Sequence, residues 1–409
     1  MQRFLTPVRT LFRHREFLVV LAANLTLGLG VSFVSPFLSM FGTIEVGMGP
    51  AQFGAFMTVT AVSAILISTV LSHRSDAHAS RRGVLLLGAA CGALGYAGYA
   101  YVRDVTWLTV IGSVALGIAS ITFSQLFAHA RESLGRSGVA PADAPLYMNL
   151  FRMFFALSWT IGPALAAWVL LHYSFRGLFL AAAFLNLLLL LIVARFVPGA
   201  RPAGQQAPAR TSVPMRALLR RPTVAAWFAA FVLVFTANTM STMNLSLLVL
   251  RVLGGTETHV GIIFSLAPVF EVPFMIYIGY IAIRADQSRL IRAAVMIAIV
   301  YYGALAAVRA PWQIYPLQIL SAAFVSVTTG VAITFFQDKL PGQPGAATNL
   351  FVNAMRIGGT AGYMIFGTIA SGLGYRAVFV TCALICAVAL ALMFRQRSRE
   401  TTASAVTAA

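Results

Sequence analysis

The sequence predicts an all-α membrane protein with twelve transmembrane helices arranged as two pseudo-symmetric six-helix bundles. Three observations carry that expectation. Of 409 residues, 59% are hydrophobic and only 10% charged, with a mean hydropathy of +0.85, so a water-soluble globule would expose far too much apolar surface. Apolar runs of about 20 residues, the length that crosses about 30 Å of hydrocarbon, recur twelve times. The second half of the chain also repeats features of the first.

The spans begin near Glu16, Ala51, Gly83, Thr106, Pro145 and Phe175, then near Thr223, Thr258, Leu290, Trp312, Gly345 and Tyr375. Short polar breaks rich in Arg, Gly and Pro separate them. The basic start, with Arg3, Arg9, Arg13 and Arg15, feeds a first span that runs to about Phe41 without a small-residue cleavage site, so no cleavable signal is expected. Met1 to Arg13 reads as a short interfacial helix. The longest break, Pro198 to Pro222, is rich in Pro, Ala, Gln and Arg and reads as a flexible cytoplasmic linker. The expected domains are therefore a first bundle at 1–197, the linker at 198–222 and a second bundle at 223–396, with a disordered Thr/Ala-rich tail at 397–409.

The net charge of +18, from 29 Lys plus Arg against 11 Asp plus Glu, would suggest nucleic acid in a soluble protein. Here it sorts by loop. One set of loops and both termini hold 22 of the basic residues, and the other set holds five: Arg103, Arg176, Arg251, Arg309 and Arg376. Cytoplasmic loops retain positive charge, so both termini are expected in the cytoplasm and no nucleic-acid partner is expected. The three cysteines, Cys91, Cys382 and Cys386, lie in apolar runs, which argues against a disulfide framework or a zinc knuckle. His73, Asp76 and His78 share a short basic loop and are not expected to hold a metal. Without GxSxG, HExxH or GxxxxGK strings, neither an enzyme nor a nucleotide-driven pump is indicated, and no cofactor is expected.

A shift of 200 residues superposes Asn149-Leu150-Phe151 on Asn349-Leu350-Phe351, Thr160 and Gly162 on Thr360 and Gly362, and Arg176 and Phe179 on Arg376 and Phe379. Arg74-Ser-Asp76 is echoed by Arg284-Ala-Asp286 at a shift of 210. Paired repeats allow two rigid bundles to expose a midplane site alternately to either side.

Only three ionisable residues lie well inside spans, Arg152, Glu271 and Arg356, and such residues are costly enough to be functional candidates. Counted from the ends of their spans, Glu271 and Arg356 both sit roughly 17 Å in. Pro268 and Pro273 flank Glu271 and free the carbonyls of Phe264 and Val269. A bent segment of this kind is tolerated where it lines a cavity, which makes Glu271 a candidate proton carrier. The alternative is a permanent salt bridge from Glu271 to Arg356 or Arg152 that neutralises both charges.

Polar residues also line up at helical spacing. Asn349, Asn353, Arg356, Thr360 and Tyr363 share one face of span 11, and Asn149, Arg152, Ala156, Trp159 and Pro163 repeat that spacing in span 5. Asn24 in span 1, Gln125 in span 4, Asn238 and Asn244 in span 7, and Gln318 in span 10 extend the set. Amides offer donor and acceptor together, and Trp or Tyr can cover the apolar face of a sugar ring, so the set suits a neutral polyhydroxylated ligand. A lipophilic cation would favour acidic residues among aromatics. The alternative for these amides and hydroxyls is that they join helices to one another, the better reading for any single Ser or Thr.

Twelve spans, two halves and an Asp-plus-Arg loop between spans 2 and 3 resemble the major facilitator superfamily over essentially the whole chain. That superfamily's Gly-x3-Asp-Arg-x-Gly-x-Arg-Arg signature is matched in part, with Asp76, Arg81 and Arg82 in place and Ser72 and Ala79 at the glycine positions. The resemblance implies a gating role for Asp76, Arg81 and Arg82, and for Asp286 in the echoing loop. Phe151 to Pro163 (FRMFFALSWTIGP), Phe336 to Asn349 (FQDKLPGQPGAATN) and the Glu-Val-Pro after Phe270 resemble bacterial sugar efflux transporters. Gly162-Pro163 approximates a signature of proton-coupled exporters, although Ala166 and Ala167 replace the usual glycine. The resemblance implies a monomeric secondary transporter of the bacterial inner membrane. It would export mono- or disaccharides, or glycoside analogues, against proton entry by alternating access, with membrane lipid as its surroundings. A proton-coupled multidrug exporter on the same scaffold is the alternative, and a membrane sensor a remoter one.

Overall fold

The structure is a computed structural model that describes residues 15–77, 81–136, 144–197, 215–282 and 285–408. The expected interfacial helix at Met1 to Arg13 and most of the linker lie outside the described residues. Every regular element among those described is helical, as a chain with apolar residues all round its segments requires in lipid, where each backbone polar group must be bonded within its own helix.

Helix α1, Arg15–Val34, tightens at Pro36 into a 3-10 turn, Ser35–Phe37, and ends in a π turn at Phe41–Glu45. Then come α2, Pro50–Ala77, and α3, Arg81–Tyr101. Helix α4 (105–136) is capped by Asp104, whose carboxylate accepts from the Trp107 amide at 3.0 Å, and it contains a π turn at Gly112–Leu116. Ala144–Phe196 is two helices, α5 and α6, broken at Ser174. A short helix, Met215–Leu218, leads into α7, Pro222–Leu247, whose proline at the first turn supplies a pre-set φ where no hydrogen bond is lost. The series closes with α8 (Glu257–Ala282), α9 (Gln287–Ala307), α10 (Ile314–Lys339), α11 (Pro344–Leu373) and α12 (Tyr375–Ala408). Among the described residues ten stretches are long and apolar enough to cross a membrane, one of them running through most of α5 and all of α6. Arg356, the asparagines and the glycines keep α11 below that threshold, although its 30 residues are ample for a crossing. The tail expected to be disordered instead continues α12 as helix to Ala408, consistent with its alanines and its Arg and Glu, all good helix formers.

The described residues fall into two compact units, one within Met1–Phe41 and Val59–Gln205 and the other within Gly42–Thr58 and Gln206–Ala409. The first part of α2 therefore groups with the second unit, although it lies in the first half of the sequence.

In the first unit, α1 and α5 are joined by side chains bonded to backbone. The Asn24 amide donates to the Phe151 carbonyl at 2.6 Å, the Ser158 hydroxyl to Leu25 at 3.1 Å, and the Ser32 hydroxyl to Ser158 at 3.0 Å. Phe17, Leu21, Leu85, Leu126, Phe151 and Leu189 fill the core beside this seam. In the second unit, α7 and α11 approach so closely that a Cβ added to Gly358 would lie 2.5 Å from the Val232 carbonyl oxygen. A Cβ on Gly362 would lie 2.8 Å from that of Thr236. Phe231, Phe235 and Phe351 pack in the same seam. The first part of α2 crosses α11 equally closely, since a Cβ on Gly54 would lie 2.7 Å from the Tyr363 carbonyl oxygen.

The internal repeat recurs as matching joints. Arg82 at the start of α3 donates to the Ala194 carbonyl near the end of α6 at 2.6 Å, and Arg292 on α9, offset by 210, lies over the ring of Phe394 on α12, offset by 200, at 5.5 Å. Further along the same helix pairs, Asn186 of α6 packs on Gly92 of α3, while their equivalents, Cys386 of α12 and Tyr302 of α9, are buried near each other in the second unit. Ser174 and Gly374 are equivalent too, with φ/ψ of 57°/−172° and 83°/171°. Only glycine adopts that backbone freely. Ser174→Gly is therefore expected to relieve about 1 kcal/mol of strain, visible as a rise of a few degrees in the unfolding temperature of the purified protein.

Candidate substrate and proton site

Glu271 falls in the middle of α8 between Pro268 and Pro273. It is half-buried, and its carboxylate has neither an ion-pair nor a hydrogen-bond partner among the described residues. Its backbone carbonyl does have a partner: the Ser326 hydroxyl on α10 donates to it at 3.2 Å. Arg356, half-buried on α11 of the same unit, likewise has no ion pair among the described residues. The bridge between Glu271 and Arg356 that the sequence left open is thus not formed in this structure. The side chains of Arg152 and Asn149 lie outside the described residues.

The asparagines and glutamines divide into two groups. Asn24 and Asn244 are both 0% exposed, and their amides donate to main-chain carbonyls of neighbouring helices, Asn24 to Phe151 and Asn244 to Tyr375 at 2.8 Å. Both serve as helix joints, the role the sequence offered as the alternative. Gln318, 2% exposed, bonds back to the Ile314 carbonyl, and its side chain lies with those of Ser241 and Ser321 around the buried Tyr301 hydroxyl. This makes Tyr301 a polar hub linking α7, α9 and α10. Gln125 is buried in α4. Trp159, Asn238 and Tyr363 are half-buried on α5, α7 and α11. The Asn353 amide faces the Met215 sulfur of the linker helix at 3.6 Å, a weak acceptor that a ligand hydroxyl can displace.

Of the residues given a gating role, Asp76 and Arg81 have side chains outside the described residues. Arg82 caps the end of α6, as above. Asp286 is the N-cap of α9: its carboxylate accepts from the Ser288 amide at 2.9 Å and the Ser288 hydroxyl at 2.7 Å, and it pairs with Arg289 at 3.4 Å. Burial acts to raise its pKa, but the Ser288 hydrogen bonds and the nearby charges of Arg292 and Arg289 outweigh burial and hold the carboxyl below its ordinary value. A lowered folded pKa means the stabilisation is complete above the unfolded value of about 3.9 and is lost as pH falls through the folded one. Asp286→Ala is accordingly expected to cost about 1 kcal/mol at neutral pH and less below about pH 4, as measured by thermal unfolding at both values.

Sequence reading missed Ser326, Tyr301 and Arg292. Arg292 alone left a signal, since the 210-residue shift carries Arg82 onto it. The uncommon string Phe336 to Asn349 forms the joint between α10 and α11, where Gln337 donates to Thr348 at 3.2 Å and Asp338 accepts from Gln287 of α9 at 2.9 Å.

Membrane-length helices carrying ionisable groups at mid-span, unpaired among the described residues, define a multi-pass membrane scaffold. The sequence profile of the Major Facilitator Superfamily matches residues 20–359 and, in a second match, 228–408. Sugar efflux transporter A of Dickeya chrysanthemi is 32% identical over 370 residues, covering 90% of this chain and 93% of its own. Sugar efflux transporter A of Escherichia coli is 31% identical over 366 residues, covering 90% and 92%. Among solved structures, the nucleoside transporter NupG superposes with a TM-score of 0.74 at 14% identity, over 93% of this chain and 98% of its own, a likeness of fold. The chain belongs to the major facilitator superfamily and, within it, to the sugar efflux transporter family. It is a transporter and not an enzyme.

Proposed function

We propose that this protein exports sugars, as mono- or disaccharides or glycoside analogues, from the cytoplasm of a bacterium across the inner membrane in exchange for protons. Both termini lie in the cytoplasm, where the arginine-rich loops remain, and the two bundles expose the binding groups alternately to either side. Glu271 carries the proton. Arg356, Asn353, Asn238 and Tyr363 of the second unit offer the sugar amide and guanidinium donors and an aromatic face, and Trp159, Gln125, Asn149 and Arg152 of the first unit offer groups of the same kinds. Asp76, Arg81, Arg82 and Asp286 steady the cytoplasmic ends of the helices through the gating cycle. The protein works as a monomer.

The observation that carries this reading is the pair of ionisable groups, Glu271 and Arg356, at mid-span in one unit and without an ion-pair partner among the described residues. A carboxylate locked in a salt bridge would be inert to protons, whereas an unpaired one can take up and release them. The names of the relatives support the sugar.

The test is efflux from proteoliposomes loaded with radiolabelled lactose, glucose, arabinose or a thiogalactoside, under an inward proton gradient with and without protonophore. Gradient-dependent loss of a sugar is the expected result. Absence of sugar movement by a folded protein, with movement of amphiphilic drugs instead, would replace this reading with multidrug export.

A further inference from the structure

We propose that Ser326 is a positioning residue for proton coupling. By hydrogen bonding to the Glu271 main-chain carbonyl it holds the proline-flanked stretch of α8 that carries the carboxyl. The inference rests on the reading of Glu271 as the proton carrier and adds to it the group that fixes where the carboxyl stands.

Pro268 and Pro273 each remove one backbone donor from the interior of α8, so two carbonyls lose their intrahelical partner within two turns and the helix is weakest around Glu271. The carbonyls so freed are those of Phe264 and Val269, both within two turns of Glu271. Helix α10 packs along α8, and Ser326, 1% exposed, reaches across to the Glu271 carbonyl at 3.2 Å. Of the other hydroxyls nearby on α10, Thr328 and Thr329 bond back to carbonyls of their own helix, and Thr334 bonds back to Val331 and reaches Gln287 of α9 at 3.5 Å, so that none of the three reaches α8. The cross-helix bonds of Asn24, Ser158 and Asn244 hold other seams. The Ser326 bond instead fixes a segment interrupted by two prolines, at the residue that bears the carboxyl. A side chain that fixes this backbone sets the depth at which the Glu271 side chain leaves the helix, and so the region its carboxyl can reach. The hydroxyl touches neither proton nor sugar, so its effect passes through Glu271.

Carbodiimide labelling of Glu271 in the reconstituted full-length protein, read by peptide mass spectrometry, reports how readily the protonated carboxyl is reached and needs no knowledge of the sugar. Ser326→Ala is expected to raise the labelling rate roughly fivefold, the equilibrium equivalent of one neutral hydrogen bond, with the unfolding temperature checking that the variant is folded. Ser326→Thr, which keeps the hydroxyl, is expected to restore the wild-type rate. An unchanged rate in Ser326→Ala overturns the proposal. So does a Thr variant that behaves like the Ala variant, because packing and not the hydroxyl would then be responsible. Failure of Glu271 to label in any variant, even in acid, overturns the proton-carrier reading itself.

Discussion

Glu271→Gln is expected to reduce proton-driven sugar export to the level of protein-free liposomes while leaving exchange of internal for external sugar intact. Glutamine keeps the volume and polarity of the side chain and removes only its titration. Because no ion pair engages the carboxylate among the described residues, the substitution leaves no guanidinium newly stranded, and the loss should be confined to coupling. Counterflow and gradient-driven efflux measured on one preparation separate the two. If both fall together, Glu271 supports sugar binding or the fold. If gradient-driven export persists, the proton travels elsewhere.

Gly362→Val is expected to be a severely damaging packing change. A Cβ at Gly362 would lie 2.8 Å from both the Thr236 carbonyl oxygen and the Thr239 Cβ, and the first of these is backbone that cannot move aside without parting α7 from α11. Overpacking of a tight core contact costs typically about 1–3 kcal/mol, and a β-branched side chain against backbone belongs at or above the top of that range. Loss of the monodisperse peak in detergent size-exclusion chromatography would show it. Gly330→Ala supplies the contrast, since nothing lies within 4 Å of a Cβ there. It is expected to be neutral, or to stabilise by up to about 1 kcal/mol through improved helix propensity.

The helices were legible because hydropathy and length are properties of composition: every predicted span has its helix, within a few residues. The linker helix at Met215–Leu218 is too short and too mixed in character to announce itself. Polar side chains were harder. Asn24, Asn244 and Gln318 have the same chemistry as Asn238 and Asn353, and helical spacing assigns a residue to a face without saying whether that face meets a ligand or a neighbouring helix. For Asn24 and Asn244 the difference lies in a main-chain carbonyl more than a hundred residues away, of Phe151 and Tyr375 respectively. Glu271 was legible because a carboxylate between two prolines is rare in an apolar run. Ser326 was not, because one serine among the many hydroxyls of α10 carries no mark until the carbonyl it reaches is known.

The joints that match between the two halves bear on how the protein could have arisen. Gly92 with Asn186 in one unit and Tyr302 with Cys386 in the other occupy equivalent places with their bulk distributed oppositely. After a gene duplication, neither copy could have moved toward its present form one substitution at a time without passing through a clash or a void, unless both partners changed close together. Grafting α6 in place of α12 would set Asn186 against Tyr302, and grafting α9 in place of α3 would set Tyr302 against Asn186. The halves share an architecture but no longer share parts, and a working chimera would have to exchange helices in pairs.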